Sequence, residues 1–317
     1  MVLLPAILNN ESSKHSLLIL QSSLAQSSLP ILRQVLGAHL GGKNSTRRII
    51  LFCLLYPPSS LTVASLCESF EIYDWTDHIP GYNEADNLTE LVQITEKSKS
   101  CTYWRFGACL SMLFAVLQEP SGRVDVVIDS IETLLVDNGS HPETYKCLSQ
   151  LYALVKKQPS THIHHLSPYS HIDNLHSEAR LILHSQSHST LLPLISQTFF
   201  SSSLAHIIAH PPALIQYLAT EFLMPPPPMS PLPKFWNVFL PISERIHDTE
   251  RLVFGSSGDG CGHPSEIVVE LIVREGSGRK RGVERVLEGF SSSMECCDLT
   301  ALESLKHLTK TQTEVTS

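Results

Sequence analysis

The chain lacks the features that most directly indicate a membrane span, a secreted protein or a structural zinc site. Its longest apolar run, around Leu110–Leu117, is far shorter than the roughly 18 residues that a membrane-spanning helix needs. The amino terminus has no basic residues ahead of its apolar stretch, which breaks at Pro5, and this argues against a signal peptide. Of the eight cysteines only Cys296 and Cys297 are close, and no pair has the two-residue spacing of a zinc knuckle or redox motif. We therefore expect an intracellular protein with free thiols.

Excess positive charge is absent as well, because the formal net charge is −8. An acidic chain has no overall field that attracts nucleic acid, so a contact of that kind needs a local basic patch. One patch lies near the carboxyl end and comprises Arg274, Arg279, Lys280, Arg281 and Arg285. It is a candidate contact to phosphate or to an acidic partner. The alternative is a solvated turn whose charges prevent an edge strand from pairing with another chain.

The glycines and the lysine of a phosphate-binding loop are missing where the pattern would put them. The strand SLLIL (16–20) is followed by eight residues, QSSLAQSS, and then by a helix that opens at Ser28-Leu29-Pro30. A nucleotide-binding loop of the form G-x-x-x-x-G-K-[ST] would occupy those eight positions. Gln21 and Gln26 stand at the two glycine positions and Ser27 at the lysine position, so only the terminal hydroxyl of Ser28 is retained. The sequence predicts an ATPase-like frame without the cation that a triphosphate needs.

The periodicity predicts an α/β fold with a mostly parallel sheet, flanked by helices and extended by antiparallel strands. Short apolar runs alternate with helical patterns up to residue 223, and a period of two dominates beyond residue 233. The predicted strands are SLLIL, RRIILFCLL, FEIYDWTD, RVDVVIDS, ARLIL and LAHIIAH, then KFWNVFLPI, ERLVFG, EIVVELIVRE and KRGVERVLEGF. This organisation matches that of RecA-type domains.

Further local patterns complete the prediction. We expect a buried helix over 104–118 and another that begins at Ser140, where a capping serine, Pro142 and Glu143 form a helix start. In EIVVELIVR, we expect Ile267, Val269, Leu271 and Val273 to face the core and Glu266, Glu270 and Arg274 to face solvent. The stretch 224–233 should adopt a polyproline-like spacing.

The predicted domain organisation is one RecA-like domain over residues 1–290 and a polar, partly disordered tail over 291–317. The histidine-rich segment 161–188 and the proline-rich linker 224–233 are expected to be loops or insertions within the domain. In the tail, Leu299, Leu302 and Leu305 have the spacing of one amphipathic helix.

Two constellations could carry metal chemistry, and each has a simpler interpretation. Asp129 ends an apolar strand where a Walker B aspartate would hold Mg²⁺, but without a phosphate loop it more plausibly caps the next loop. The histidine-rich segment gathers His162, His164, His165, His171, His176, His184 and His188. No cysteine or carboxylate completes a spaced ligand set, so we favour a solvated loop or interface over a metal site. No Gly-x-Ser-x-Gly elbow points to a serine nucleophile.

Taken in order, several segments resemble the family of subunit five of the Elongator complex, in its fungal form. They are SLLILQSSLAQSS, EIYDWTDHIPGY, VVIDSIETLL, AHIIAHPPALIQYLATEF and VVELIVREGSGRKRGVERVLEGF. They extend from about residue 15 to 290, and none of them is a catalytic signature. The histidine-rich segment and the proline-rich linker depart from the shorter members of the family.

The resemblance implies a RecA-like, non-catalytic subunit without a cofactor, found in the cytoplasm and the nucleus. Members join Elongator subunits four and six in a hetero-hexameric ring that docks on the catalytic subunits. The ring binds and releases tRNA, and the whole complex supports carboxymethyl-type modification of the wobble uridine. On this basis Arg279, Lys280, Arg281 and Arg285 are candidate contacts to tRNA or a partner.

Two other functions stay open at this stage. A divergent ATPase would use Ser28 and Asp129 and would bind nucleotide measurably. A RecA-like accessory protein of a recombination complex would need aromatic residues interleaved with basic ones, and the Tyr and Trp positions do not interleave with the arginines.

Overall fold

A computed structural model of the chain describes residues 2–9, 15–38, 48–61, 70–76, 124–157, 179–255, 266–275, 282–291 and 293–310. The strands are β1 (Leu17–Ser22), β2 (Arg48–Cys53), β3 (Phe70–Asp74), β4 (Val124–Ile128), β5 (Arg180–Gln186), β6 (Leu204–His210), β7 (Ile267–Arg274), β8 (Val283–Phe290) and β9 (Cys296–Cys297). The helices are α1 (Leu4–Leu8), α2 (Leu29–Ala38), α3 (Pro58–Leu61), α4 (Ile131–Asn138), α5 (His141–Lys157), α6 (Leu192–Ile195), α7 (Pro212–Glu221), α8 (Leu232–Ser243), α9 (Ile246–Phe254) and α10 (Lys306–Lys310).

The nine strands of the described residues form one sheet in the order β3-β2-β4-β5-β1-β6-β7-β8-β9. Strands β1 to β6 are parallel, whereas β7, β8 and β9 follow β6 as antiparallel neighbours. The predicted fold class is therefore confirmed: a mostly parallel sheet with helices and an antiparallel carboxyl-terminal extension. Because parallel strands end at the same edge, the residues that follow β1, β4 and β5 come together there.

Helices bury both faces of the sheet, which explains why the central strands are apolar at consecutive positions. Leu17 and Ile19 of β1 belong to a buried cluster with residues of α4 and α5. Leu18 and Leu20 point to the opposite face, where they join a cluster with residues of α1 and α2. No helix within the described residues is long and apolar enough to cross a membrane.

Two predicted strands are helices, and this is the largest error of the sequence prediction. KFWNVFLPI falls in α8 and ERLVFG falls in α9. Phe235, Phe239 and Ile242 are buried at a helical spacing against α7 and Val268 of β7. In these short stretches the aromatic and branched residues that favour strands also fit a helical stripe, and the packing surface offered by α7 decides the outcome.

The prediction for β7 is correct for one face only: Ile267, Val269, Leu271 and Val273 are buried as predicted, but the opposite face does not meet solvent. Glu266 and Glu270 are 5% and 3% exposed, because helices cover the face that we expected to meet solvent. Glu266 accepts hydrogen bonds from the backbone of Glu303 and Ser304, at 2.9 and 3.1 Å. The two carboxylates are therefore internal polar groups with partners. Arg274, predicted to face outward with them, donates to two backbone carbonyls and is half-buried.

The carboxyl-terminal leucines are buried as their spacing predicts, but in a different helix type. Leu299, Leu302 and Leu305 pack on the cluster formed by α7 and α8. They lie in and between two 3₁₀ turns, Leu299–Ala301 and Glu303–Leu305, which precede α10. Leu302, between the two turns, has an extended backbone with a ψ angle of 132°, so the single helix that the spacing predicts does not form.

The sequence prediction also missed a helix and misjudged the proline-rich linker. Helix α4 has a capping serine, Ser130, which accepts from Thr133 N–H at 3.1 Å, and a left-handed glycine at its end, Gly139. In the linker, Met229 N–H donates to the carbonyl of Pro226 at 3.1 Å, so the chain turns there and does not extend as polyproline, with a cis bond at Pro227-Pro228.

Several predictions fall on residues that the structure does not describe. The expected helix at 104–118 and the histidine-rich residues 161–178 lie outside the described residues. The remainder of the histidine-rich segment includes β5, as the pattern ARLIL predicts. The domain boundaries at 290 and 291 stay predictions.

Candidate functional site

The loop after β1 is held by hydrogen bonds between its own residues. In a phosphate-binding loop the backbone N–H groups at this position would instead be directed at the ligand. Ser23 N–H donates to the carbonyl of Gln26 at 2.8 Å, and Gln26 N–H returns a bond to Ser23 Oγ at 3.1 Å. Leu29 N–H is capped by Ser27 Oγ at 3.1 Å. The N–H groups of Ser23, Gln26 and Leu29 are therefore satisfied within the loop and are not directed at an anion.

Ser28, the one residue that the loop shares with a nucleotide-binding motif, is fully buried and bonded to its neighbours. Its N–H donates to Ser22 Oγ at 2.8 Å, and the two hydroxyl oxygens lie 2.8 Å apart. Ser22 Oγ also lies 2.8 Å from Nε2 of His184, at the centre of β5. Ser22, Ser28 and His184 are 2%, 0% and 1% exposed, so the Ser28 hydroxyl does not face a ligand space.

His184 links the ends of three neighbouring strands. Its Nδ1 lies 2.7 Å from the backbone oxygen of Asp129, which can only accept, so Nδ1 carries the proton. Burial lowers the pKa of His184 and favours the neutral ring. In that ring Nε2 is an acceptor, so Ser22 donates to it. Both ring nitrogens of His184 are hydrogen-bonded, so neither offers a lone pair to a metal.

Asp129 caps a loop, as the simpler interpretation of this residue predicts, but it is the loop that follows β2 and not the next loop along the chain. Its carboxylate accepts the N–H groups of Leu54, Leu55 and Tyr56 at 2.7, 3.0 and 2.8 Å. The residue is fully buried, and burial raises its pKa to about 6 despite these three bonds. The carboxylate is thus directed into a backbone turn, whereas a Mg²⁺-binding aspartate would be directed toward a nucleotide.

A polar cavity of about 210 Å³ lies beside this loop, at the carboxyl ends of β1 and β6 and beneath α8 and α9. Its lining includes Ser22, Ser23, His210, Glu270 and Arg285, with the end of α8 and the start of α9. Glu270 Oε2 lies 2.8 Å from His210 Nε2, and Glu270 Oε1 lies 3.3 Å from Arg285 Nε. Burial alone would raise the pKa of Glu270, but the bond to His210 and the charges around it give a net lowering.

Only one of the four residues predicted to contact tRNA or a partner can be placed. Arg285 forms the wall of the cavity, where its guanidinium pairs with Glu270 and lies 5.8 Å from the ring of Trp236. Arg279, Lys280 and Arg281 lie outside the described residues. The fifth basic residue, Arg274, donates to the carbonyls of Ser196 and Ser201 at 3.0 and 2.6 Å.

The cavity and its charged pair could not be found from the sequence. Glu270 was assigned to the solvent face of β7, and α8 and α9, which cover it, were predicted as strands. The only local signal is the pair of histidines in β6, because His206 and His210 lie among apolar residues. His206 is held by Gln21 at 2.9 Å, and burial lowers its pKa to about 4. In the described part of the chain, no three His, Cys, Asp or Glu residues are grouped so that they could hold a metal ion.

No protein-family model matches the chain, and no curated protein matches it either. A KaiC-like protein from the hyperthermophilic archaeon Pyrococcus horikoshii OT3 superposes with a TM-score of 0.42 and 8% identity, covering 88% of each chain. A DnaB-like replicative helicase, solved to show its interactions with primase, gives a TM-score of 0.33 and 10% identity over 88% of this chain and 57% of that one.

The chain thus spans little more than half of the helicase. The fold class follows from the strand order itself, in which a parallel core is extended at its carboxyl-terminal edge by antiparallel strands. The chain therefore has a RecA-like α/β fold in which the loop after β1 is closed by its own side chains.

Proposed function

We propose that this chain is a non-catalytic RecA-like subunit of an Elongator-type complex that acts through its protein surfaces. In this role it joins Elongator subunits four and six in a hetero-hexameric ring, in the cytoplasm and the nucleus. The ring binds tRNA and supports modification of the wobble uridine by the catalytic subunits of the complex. The family assignment comes from the ordered sequence resemblance, and the non-catalytic role is supported by the geometry of the site.

The observation that carries the non-catalytic role is the bonding of Ser28. In a working phosphate-binding loop, this hydroxyl coordinates Mg²⁺, a lysine precedes it and glycines bring the backbone to the phosphates. Here the Ser28 hydroxyl is buried and bonded to Ser22, and glutamine and serine replace the glycines and the lysine. A triphosphate would meet no cation in this loop, and Asp129 already serves three backbone N–H groups.

Assembly with the two ring partners is the direct test of the family assignment. We expect that co-expression with tagged Elongator subunits four and six yields a hetero-hexamer with two copies of each chain. Obligate interfaces of this kind commonly bury more than about 2,000 Å², so the complex should survive gel filtration. The measurement is the mass of the purified assembly by native mass spectrometry. A stable monomer that ignores both partners would overturn the assignment.

The basic residues Arg279, Lys280 and Arg281, in the segment between β7 and β8, should contribute to tRNA binding by the assembled ring. We expect that changing Arg279, Lys280 and Arg281 together to glutamate weakens tRNA binding at least tenfold and flattens its dependence on salt, because fewer phosphates are neutralised. Filter binding of labelled tRNA at several salt concentrations measures both quantities. Lys146, Lys156 and Lys157, all exposed on α5, provide a matched control triple for the same change of charge. An unchanged affinity and salt slope in the triple variant would remove this assignment.

A further inference from the structure

The segment from the end of α7 to the first residue of α8 carries three exposed large apolar side chains in eleven residues. Phe222, Leu223 and Leu232 are 45%, 82% and 53% exposed. Single exposed leucines are common on protein surfaces, but several within one short connection are characteristic of interaction sites. These three residues are called the apolar tip below.

Leu223 has a backbone conformation that disfavours its own side chain. Its φ angle is +49°, in the left-handed region, where a Cβ atom approaches the following carbonyl. Helices often end with one residue in this conformation, and glycine is the usual residue because it has no Cβ atom. A branched side chain here costs stability and gains no burial in return. This combination indicates that the side chain is retained for a contact outside the chain.

The base of the apolar tip is fixed by bonds and packing. The N–H groups of Phe222 and Met224 both donate to the carbonyl of Leu218, at 3.2 and 3.0 Å. The ring of Phe222 lies 5.7 Å from that of Tyr217, and Met224 packs against the cluster formed by α7 and α8. A side chain presented on a fixed base loses little conformational entropy on binding, which favours a docking role.

The chemistry of the connection identifies the kind of partner. The twelve residues from Phe222 to Pro233 contain no charged side chain. Nucleic acid and anionic lipid headgroups are recognised through lysine and arginine, which are missing from this segment. Exposed phenylalanine and leucine fit the desolvated centre of a protein–protein interface, where charged residues are depleted.

We propose that the apolar tip docks into an uncharged, apolar pocket on a neighbouring subunit of the ring. This inference rests on the proposed function, since it takes the ring neighbour as the occupant. The exposed side chains of the apolar tip are buried in the neighbour's pocket when the two chains meet. The strain at Leu223 is then offset in the assembly by burial of a side chain that is exposed in the single chain.

The test compares stability and assembly in the same variants. Leu223→Gly and Leu223→Asn both remove the apolar side chain, and both residues tolerate the left-handed conformation. Each variant competes with differently tagged wild-type chain for a limiting amount of Elongator subunits four and six, and mass spectrometry measures the ratio incorporated. We expect at least tenfold lower incorporation of both variants. The melting temperature of the isolated Leu223→Gly chain should be equal to that of wild type or about 2 °C higher. Val136→Ser, which changes another exposed apolar residue, should be incorporated at the wild-type ratio.

The possible outcomes separate this inference from the proposed function. If wild type assembles and the Leu223 variants compete equally, the apolar tip is not a docking element and the ring assignment stands. If Leu223→Gly melts below wild type, the strain argument fails and the inference with it. If wild type does not assemble with the two subunits, the proposed function is overturned, and this inference, which names a ring subunit as occupant, falls with it.

Discussion

Replacing Asp129 by alanine is expected to lower the free energy of unfolding by about 4 kcal/mol, because three buried backbone N–H groups lose their acceptor together. The three donors, Leu54, Leu55 and Tyr56, lie 2.7 to 3.0 Å from the carboxylate oxygens. Through these three bonds Asp129 holds the loop after β2 to the end of β4. Urea unfolding monitored by circular dichroism measures the change.

The same position distinguishes the structural role from that of a metal-binding aspartate. Asp129→Asn keeps one carbonyl oxygen as an acceptor and should lose about half as much stability as the alanine variant. Glu221→Ala, at the exposed end of α7, is the control and should stay within about 0.5 kcal/mol of wild type. We further expect no rise in the melting temperature of the wild-type chain with Mg²⁺ and ATP. A rise that Asp129→Ala abolishes would favour the divergent ATPase and contradict the non-catalytic role.

Arg180→Met is expected to lower the free energy of unfolding by a similar amount, about 4 kcal/mol, because it leaves a buried carboxylate without its counter-charge. Arg180 and Asp125 are 2% and 0% exposed, and Arg180 Nε lies 3.0 Å from Asp125 Oδ2. The guanidinium also donates to the carbonyls of Ile7 and Leu8, at 2.8 and 3.1 Å, where α1 ends. The variant should therefore also release α1, which limited proteolysis near the amino terminus would detect.

Two further variants separate the charge from the packing. Arg180→Lys keeps the charge but cannot reach the carboxylate and both carbonyls with one planar group, so we expect a loss of about 2 kcal/mol. The double variant Arg180→Met with Asp125→Leu removes both charges and should recover most of the stability lost in Arg180→Met alone. A loss below about 1 kcal/mol in Arg180→Met would mean that the pair contributes little.

Much of the parallel half of the fold could be predicted from the sequence. The runs SLLIL, RRIILFCLL, RVDVVIDS and LAHIIAH are each too short for a helix and apolar at consecutive positions, which is the pattern of a strand covered on both faces. The altered phosphate loop could also be predicted, because it too depends on residue types at neighbouring positions. A phosphate-binding loop depends on glycine and lysine at fixed positions, so their replacement by glutamine and serine can be read directly.

The antiparallel half was predicted less well, because the secondary structure and the burial of its elements depend on the helices and strands that pack against them. In KFWNVFLPI the residues Phe235, Phe239 and Ile242 form a helical stripe, but the same nine residues also have the composition of a strand. The prediction that one face of β7 meets solvent failed for the same reason. An alternation of apolar residues and glutamates indicates one solvated face only when nothing covers that face, and here α8 and α9 lie near it.

The sequence by itself determined that this chain is an α/β protein with a largely parallel sheet and no intact phosphate-binding motif. Those properties depend on residue type and short-range spacing, which are local. Only the tertiary structure decided that His184 joins Ser22 to the backbone of Asp129, and that Glu270 is paired with His210 and Arg285 inside a cavity. These contacts connect residues up to 162 positions apart, and they form because the sheet order places β5 between β4 and β1 and brings β8 beside β7.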